Sequence, residues 1–221
     1  MKKFLRRITT RITYFINVRG TLNKTVTAKV RELTLTIAPT VYNPSFFKSG
    51  QFFAKYLSTL DLKDKRVLET GTGSGFLSIV AAKAGAQVTS VDLNPAAVAC
   101  AKINAAQNGV TMDVRQSNWF EAVGDDKFDV IIFSGPYLKG KPRPPYGIAW
   151  YVGENNELIL PLLEGCSDHL VSGGFVLCNL SSDSDVAWYK QQFGMRFKNT
   201  QIVAQKNYYF EQFEILKATR E

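Results

Sequence analysis

A short apolar run, Arg66-Val67-Leu68, ends in a carboxylate at Glu69, and the chain then passes through Thr70-Gly71-Thr72-Gly73-Ser74-Gly75. Phe76-Leu77-Ser78-Ile79-Val80-Ala81-Ala82 follows, with the composition of a helix. Strand, tight turn and helix in this order commit the chain to an α/β layer in which a ligand can lie on the turn. Glycines at alternate positions admit positive φ and leave room for that ligand against the backbone. In the dinucleotide pattern G-x-G-x-x-G the pyrophosphate rests on the helix N-terminus. Here the third glycine comes one residue early and an acid precedes the first. A carboxylate at the strand end suits a cationic ligand and repels a pyrophosphate.

The next strand is expected at Val88-Thr89-Ser90-Val91-Asp92, again with an acid at its carboxyl end. Such an acid can accept hydrogen bonds from both hydroxyls of a ribose. Asn94-Pro95 then supplies an N-cap and a first-turn proline, and Asn108-Gly109 a stop, for a helix between them. Phe128-Asp129-Val130-Ile131-Ile132-Phe133 reads as a buried parallel strand. It delivers Ser134-Gly135-Pro136-Tyr137 to the end of the sheet where α/β folds bind ligands.

These motifs together resemble the class I S-adenosylmethionine-dependent methyltransferases. Glu69 to Gly75 is similar to their first motif, and Ser134 to Tyr137 to the Asn-Pro-Pro-Tyr motif of amino N-methyltransferases. Val41-Tyr42-Asn43-Pro44-Ser45, Asn118-Trp119-Phe120 and Val152-Gly153-Glu154-Asn155-Asn156-Glu157-Leu158 resemble the small-domain subfamily related to release-factor glutamine N5-methyltransferases. The resemblance covers roughly residues 39–180. It implies a Rossmann-like, seven-stranded, mostly parallel sheet closed by a C-terminal antiparallel hairpin. It implies S-adenosyl-L-methionine as cofactor. Glu69 would meet the methionine amine; Gly71, Gly73 and Gly75 would border the adenosyl group; Asp92 would take the ribose, with Leu93 beside it. Asn118 and Trp119 would flank adenine. Ser134 and the Gly135 carbonyl, ahead of Pro136, would orient the methyl acceptor, and Tyr137 would pack on it. Ser134 stands where the family has Asn, a shorter acceptor that can also donate. Gly135 replaces the first proline and is expected to loosen the loop.

Composition narrows the partners. Of 27 basic residues, nine fall in residues 1–31, which contain no acid; the remaining 18 face 19 acids. The presumed catalytic domain, residues 41–221, is therefore almost neutral, and the basicity sits in an N-terminal arm with short strands, residues 1–40. A neutral domain argues against a broad nucleic-acid surface. Phe4, Ile8, Ile12 and Phe15 fall at helical spacing in the arm. That helix would pack on its own domain, lie on an anionic membrane surface, or meet RNA or an acidic protein. Residues 25–37 alternate with a phase change at Arg31-Glu32, as two short strands do. Ser45 is expected to cap a helix through Leu60, a helix is expected from Glu157 to Leu170, and Gly173-Gly174 to lead a strand over residues 175–180. A helix-and-turn region is placed at Lys190 to Lys198, and a final hairpin at Gln201–Ala204 and Tyr208–Leu216 turns near Lys206-Asn207.

Three cysteines, Cys100, Cys166 and Cys178, show no metal-ligand spacing and read as buried free thiols of a reducing, cytoplasmic compartment. No metal is implied, no apolar run reaches the length of a membrane span, and His169 reads as structural. Leu138 to Gly147, with three prolines and three cations, is a candidate substrate-recognition loop. Three functions follow in order. The first is a methyltransferase acting on a nitrogen of a protein side chain or small molecule. The second is a methyltransferase on an exocyclic amine of RNA or DNA. The third is a non-catalytic adenosyl-binding module docked to a membrane or partner by its arm.

Overall fold

A computed structural model describes residues 23–142, 147–208 and 211–221. The helix expected through Phe4 and Phe15, and the part of the cationic loop at 143–146, lie outside the described residues. Two short strands, β1 (Val26–Val30) and β2 (Leu33–Ile37), form an antiparallel hairpin whose turn holds Arg31 at φ 55°. After α1 (Lys48–Leu57) come β3 (Arg66–Thr70), α2 (Phe76–Lys83), β4 (Gln87–Asp92), α3 (Pro95–Gln107), β5 (Asp113–Gln116) and β6 (Phe128–Phe133). Then follow α4 (Leu160–Gly165), β7 (Leu170–Ser181), α5 (Val186–Arg196), β8 (Asn199–Tyr208) and β9 (Glu211–Thr219).

The main sheet has seven strands in the order β5-β4-β3-β6-β7-β9-β8. The first five are parallel, and β9 pairs antiparallel with both β7 and β8. This is the Rossmann-like sheet with its closing hairpin. The period of two in each strand divides the core. Val67, Val130 and Ile132 join α1, α2 and α3 in one apolar cluster, while Leu68, Ile131 and Phe133 join α4 and α5 in the other. All six are at most 2% exposed, as strands covered on both faces require. Chain order reverses between β3 and β6, so their carboxyl ends open the crevice where α/β sheets bind ligands.

The β1–β2 hairpin packs Val30, Leu33, Leu35 and Ile37 into the first cluster. Its free edge is covered by a helix. Asn104 gives its side-chain Nδ2 to the Thr36 carbonyl at 2.8 Å and takes the Thr36 N–H at 2.7 Å; Asn108 does the same for Thr34 at 2.9 and 3.3 Å. Two amides one helical turn apart thus substitute for a neighbouring strand, matching the two-residue repeat of β2.

Asn94 caps α3 as its sequence promises, accepting from the Ala96 N–H at 3.0 Å, with Pro95 next. Elsewhere the boundaries move. Ser45 caps no helix: its N–H and hydroxyl both donate to the Asn43 side chain, and α1 starts at Lys48 with no side-chain cap. The helix expected from Glu157 shortens to Leu160–Gly165, and β7 begins at Leu170, passing through the two glycines. A Cβ on Gly174 would lie 2.9–3.1 Å from the carbonyl oxygens of Val171, Asp129 and Phe128, so glycine is what lets the strand run on there. The helix-and-turn region placed at Lys190 holds a helix from Val186 to Arg196. The final hairpin is longer than expected, with β8 paired up to Tyr208 against Glu211. All three cysteines are buried and free. His169 is structural, with its ring stacked on Phe120 at 4.0 Å and its nitrogens on the Gly165 and Gly124 carbonyls.

Candidate active site

A cavity of about 270 Å³ opens at the carboxyl ends of β3, β4 and β6. Glu69, Gly71, Gly73, Asp92, Leu93, Asn118, Trp119 and all four residues of Ser134 to Tyr137 line it. Of the cofactor and acceptor residues assigned from the sequence, Gly75 alone does not. It is at φ 78°, and a Cβ there would come within 3.1 Å of Ala101, so it serves the approach of α2 to α3. Gly75→Val is expected to cost about 2–4 kcal/mol of folding stability, from strain and overpacking together, read as a lower urea midpoint. Gly71, at φ 70°, faces open space on the cavity side.

Glu69 is 2% exposed, yet one of its oxygens is well served. Oε2 accepts from Thr72 Oγ1 at 2.8 Å, from the Ser78 N–H at 3.0 Å and from the Ser78 hydroxyl. Ser78 leans in turn on Ser90, 2.6 Å away. Burial pushes the Glu69 carboxyl up to about 7, against the pull of these donors. The carboxylate is therefore oriented but short of countercharge, and an ammonium group arriving in the cavity would supply it. Asp92 is held open in the same way: Oδ2 accepts from the Gly73 N–H at 2.8 Å and Oδ1 from the Asn94 N–H at 2.9 Å. Burial also raises this carboxyl, partly offset by those two N–H groups.

At the far wall Asn118 donates to Glu121 at 2.9 Å. Trp119 adopts φ 51°, a left-handed backbone that bulky residues seldom tolerate. Its ring is fixed by an Nε1–H bond to the Leu158 carbonyl at 3.2 Å and an edge contact with Phe133.

Ser134 and Gly135 sit one and two residues past the paired end of β6. A Cβ on Gly135 would fall 2.3 Å from the Phe133 ring, so the ring fills the space a proline would need. Beyond Tyr137 the chain doubles back on itself. The Leu138 N–H bonds the Trp150 carbonyl at 3.1 Å, the Val152 N–H bonds Leu138, and Gly140 bonds Gly153. Lys139 is paired with Asp185 at 2.7 Å.

Several contributors escaped the sequence reading. The Tyr137 hydroxyl faces Ser49 of α1 and Ser181 of β7, and the Tyr42 hydroxyl also faces Ser49. Burial drives both phenols well above their ordinary range, so both stay protonated donors. Tyr42 stacks on Phe47 at 4.8 Å, and Trp150 lies against both, closing one side of the cavity with aromatic rings. Asn179, 1% exposed, touches Ser134 from the neighbouring strand. A polar residue inside the apolar run Phe175–Leu180 was the one available sign of it.

Fold and site together define an α/β protein with an acid-lined adenosyl-type crevice. The chain belongs to the methyltransferase small domain family, whose model matches residues 32–215. Among its relatives is a protein of Methanocaldococcus jannaschii provisionally named a protein N5-glutamine methyltransferase, 42% identical over 111 residues. That match covers 50% of this chain and 54% of the relative. The ribosomal protein L11 methyltransferase of Deinococcus radiodurans is 38% identical over 110 residues, 48% of this chain and 38% of that one. The chain thus spans about half or less of the curated relatives it matches. Its fold is similar to that of the T. thermophilus 16S rRNA N2 G1207 methyltransferase, solved with AdoMet and guanosine. The TM-score is 0.67 at 18% identity, over 90% of this chain and 50% of that one. It is also similar to the E. cuniculi Mtq2–Trm112 complex, with a TM-score of 0.66 at 19% identity over 82% and 99% of the two chains.

Proposed function

We propose that this chain is an S-adenosyl-L-methionine-dependent methyltransferase, working in the cytoplasm, that methylates the NH2 nitrogen of a protein side-chain amide of the glutamine class. The observation that carries this reading is a single cavity lined both by the acid-and-glycine turn and by Ser134 to Tyr137. The donor set fits the cofactor. Two carboxylates, one short of countercharge and one held on backbone N–H groups, suit an ammonium and a ribose. When bound, the cofactor supplies an electrophilic methyl group on a sulfonium. Glu69 would hold the amine, Asp92 the ribose, and Leu93, Asn118 and Trp119 the adenine.

An amide nitrogen is a poor nucleophile because its lone pair is conjugated. Ser134 Oγ and the Gly135 carbonyl would hold its two protons, and the Tyr137 ring would fix its plane. Alignment at about 3–3.5 Å supplies several kcal/mol of the barrier without any strong base. The aromatic wall of Tyr42, Phe47 and Trp150 would keep water from the reacting centre. The names of the archaeal and L11-modifying relatives favour a protein acceptor.

The test is transfer of tritiated methyl from the cofactor to glutamine-containing peptides and, in parallel, to ribosomal and transfer RNA. Incorporation into the peptide amide alone is the expected result. Incorporation into RNA alone, falling steeply with salt, would replace this reading with methylation of an exocyclic base amine, which the likeness to the guanosine-bound rRNA enzyme favours. Tight cofactor binding without transfer to either would leave the non-catalytic module. Contact of residues 1–31 with an anionic surface stays a proposal for the arm; no helix among the described residues is long and apolar enough to cross a membrane.

A further inference from the structure

The parallel register of β6 and β7 pairs Phe133 with Cys178, so the next residues, Ser134 and Asn179, stand side by side. Asn179 is 1% exposed. Its Nδ2 lies 3.4 Å from Ser134 Oγ, a long contact, and its Oδ1 is buried without a partner. A buried carboxamide that leaves one end unused normally costs stability. Its cross-strand partner Ile215 on β9 and its same-face neighbour Leu177 are apolar and fully buried, so neither gives the carboxamide a partner.

The chemistry of Ser134 gives that amide a use. A hydroxyl, unlike the amide oxygen of an asparagine, can donate as well as accept. Donation to the acceptor nitrogen would tie up the lone pair that must attack the methyl carbon. The Ser134 proton therefore needs a permanent destination away from the cavity. The two ends of a carboxamide have the same shape, and a half-turn puts Oδ1 where Nδ2 stands. One end stays unpartnered in either orientation, so the half-turn forfeits no other bond. It lets Ser134 give its proton to Asn179 and turn both Oγ lone pairs to the cavity.

We propose that Asn179 is a positioning residue of the methyl-acceptor site, whose carboxamide oxygen takes the Ser134 hydroxyl proton and so makes Ser134 a pure hydrogen-bond acceptor for the substrate NH2. This rests on the amide-methylation reading above. Ser134 and Asn179 together then do the work of one asparagine at the head of the motif.

Two measurements on the full chain decide it. The first needs no substrate: the carboxamide carbon of Asn179 is followed by NMR in protein labelled with 13C at asparagine Cγ, the signal being assigned by its loss in Asn179→Asp. Ser134→Ala should move that carbon signal upfield, because the amide oxygen loses its donor. A response confined to the NH2 protons would overturn the assignment. The second is the single-turnover rate of methyl transfer to a glutamine-containing peptide. Asn179→Leu should lower it roughly tenfold to a hundredfold, with binding of S-adenosylhomocysteine showing that the variant is folded. Asn179→Asp should regain rate as pH rises and its buried carboxyl ionises, since a carboxylate can only accept. Ser134→Asn paired with Asn179→Ala should also recover the rate. A purely structural Asn179 would give the same loss in both Ser134 backgrounds and no pH dependence, and would sink the proposal. Failure of the unaltered protein to methylate the peptide would instead refute the glutamine reading, leaving the carbon shift to decide Asn179.

Discussion

Glu69→Gln is expected to weaken binding of S-adenosylmethionine roughly tenfold to a hundredfold, the scale of a charge-assisted hydrogen bond from an ammonium group. It should also flatten the pH dependence of binding. In the free protein burial holds the Glu69 carboxyl at about 7, against an ordinary 4.5. Binding a cation favours the carboxylate, so affinity should climb as pH rises toward about 7 and level off above it. Below that point binding should release a proton, detectable by calorimetry in buffers of different ionisation heat. The stability of the free protein runs the other way. A raised folded-state value means the folded chain keeps a proton that the unfolded chain gives up. That contribution is fully present below 4.5 and is lost as pH rises to about 7. The Gln variant should lack this decline, so the free variant gains on the unaltered protein at neutral pH while binding cofactor less well. A variant that bound less well and kept the full pH dependence would remove Glu69 from the amine site.

Tyr137→Ala is expected to lower single-turnover methyl transfer about a hundredfold or more, while cofactor affinity changes less than about threefold. The ring would be lost from the acceptor plane, and with it the hydroxyl that faces the anchors Ser49 and Ser181. Tyr137→Phe separates the two roles. It keeps the wall and loses the anchors, so transfer should drop by roughly tenfold or less. Equal effects of both variants would mean that the anchor, not the ring, is what the motif needs.

The fold was legible in the sequence where local rules and tertiary packing agree. The Glu69–Gly75 turn, the acid at Asp92, the Asn94-Pro95 cap and the apolar run of β6 each carry a mechanism that acts within a few residues. They located the crevice and the acid-and-glycine part of its lining. The errors fall where a competing partner intervened. Ser45 has a good capping side chain, but Asn43 takes its donors, and α1 begins later on packing alone. Gly173-Gly174 reads as the end of a loop, yet the strand passes through it because a neighbouring backbone stands where a Cβ would. Gly75 matches the turn pattern but lies outside the cavity lining, where its missing Cβ lets α2 approach Ala101. Ser49, Trp150 and Asn179 were invisible as site residues because their partners are distant in sequence. Asn179 meets Ser134 across 45 residues, and only strand register brings them together.

We propose that this crevice holds an adenosyl cofactor through Asp92 and not a dinucleotide. Calorimetry of the full chain with S-adenosylmethionine, S-adenosylhomocysteine and NAD, repeated on Asp92→Ala, tests it most directly. Binding of both adenosyl compounds, no heat with NAD, and a loss of roughly a hundredfold or more in the variant are expected. Binding of NAD in preference to the adenosyl compounds, or an Asp92→Ala variant that binds them as well as the unaltered protein, would contradict it.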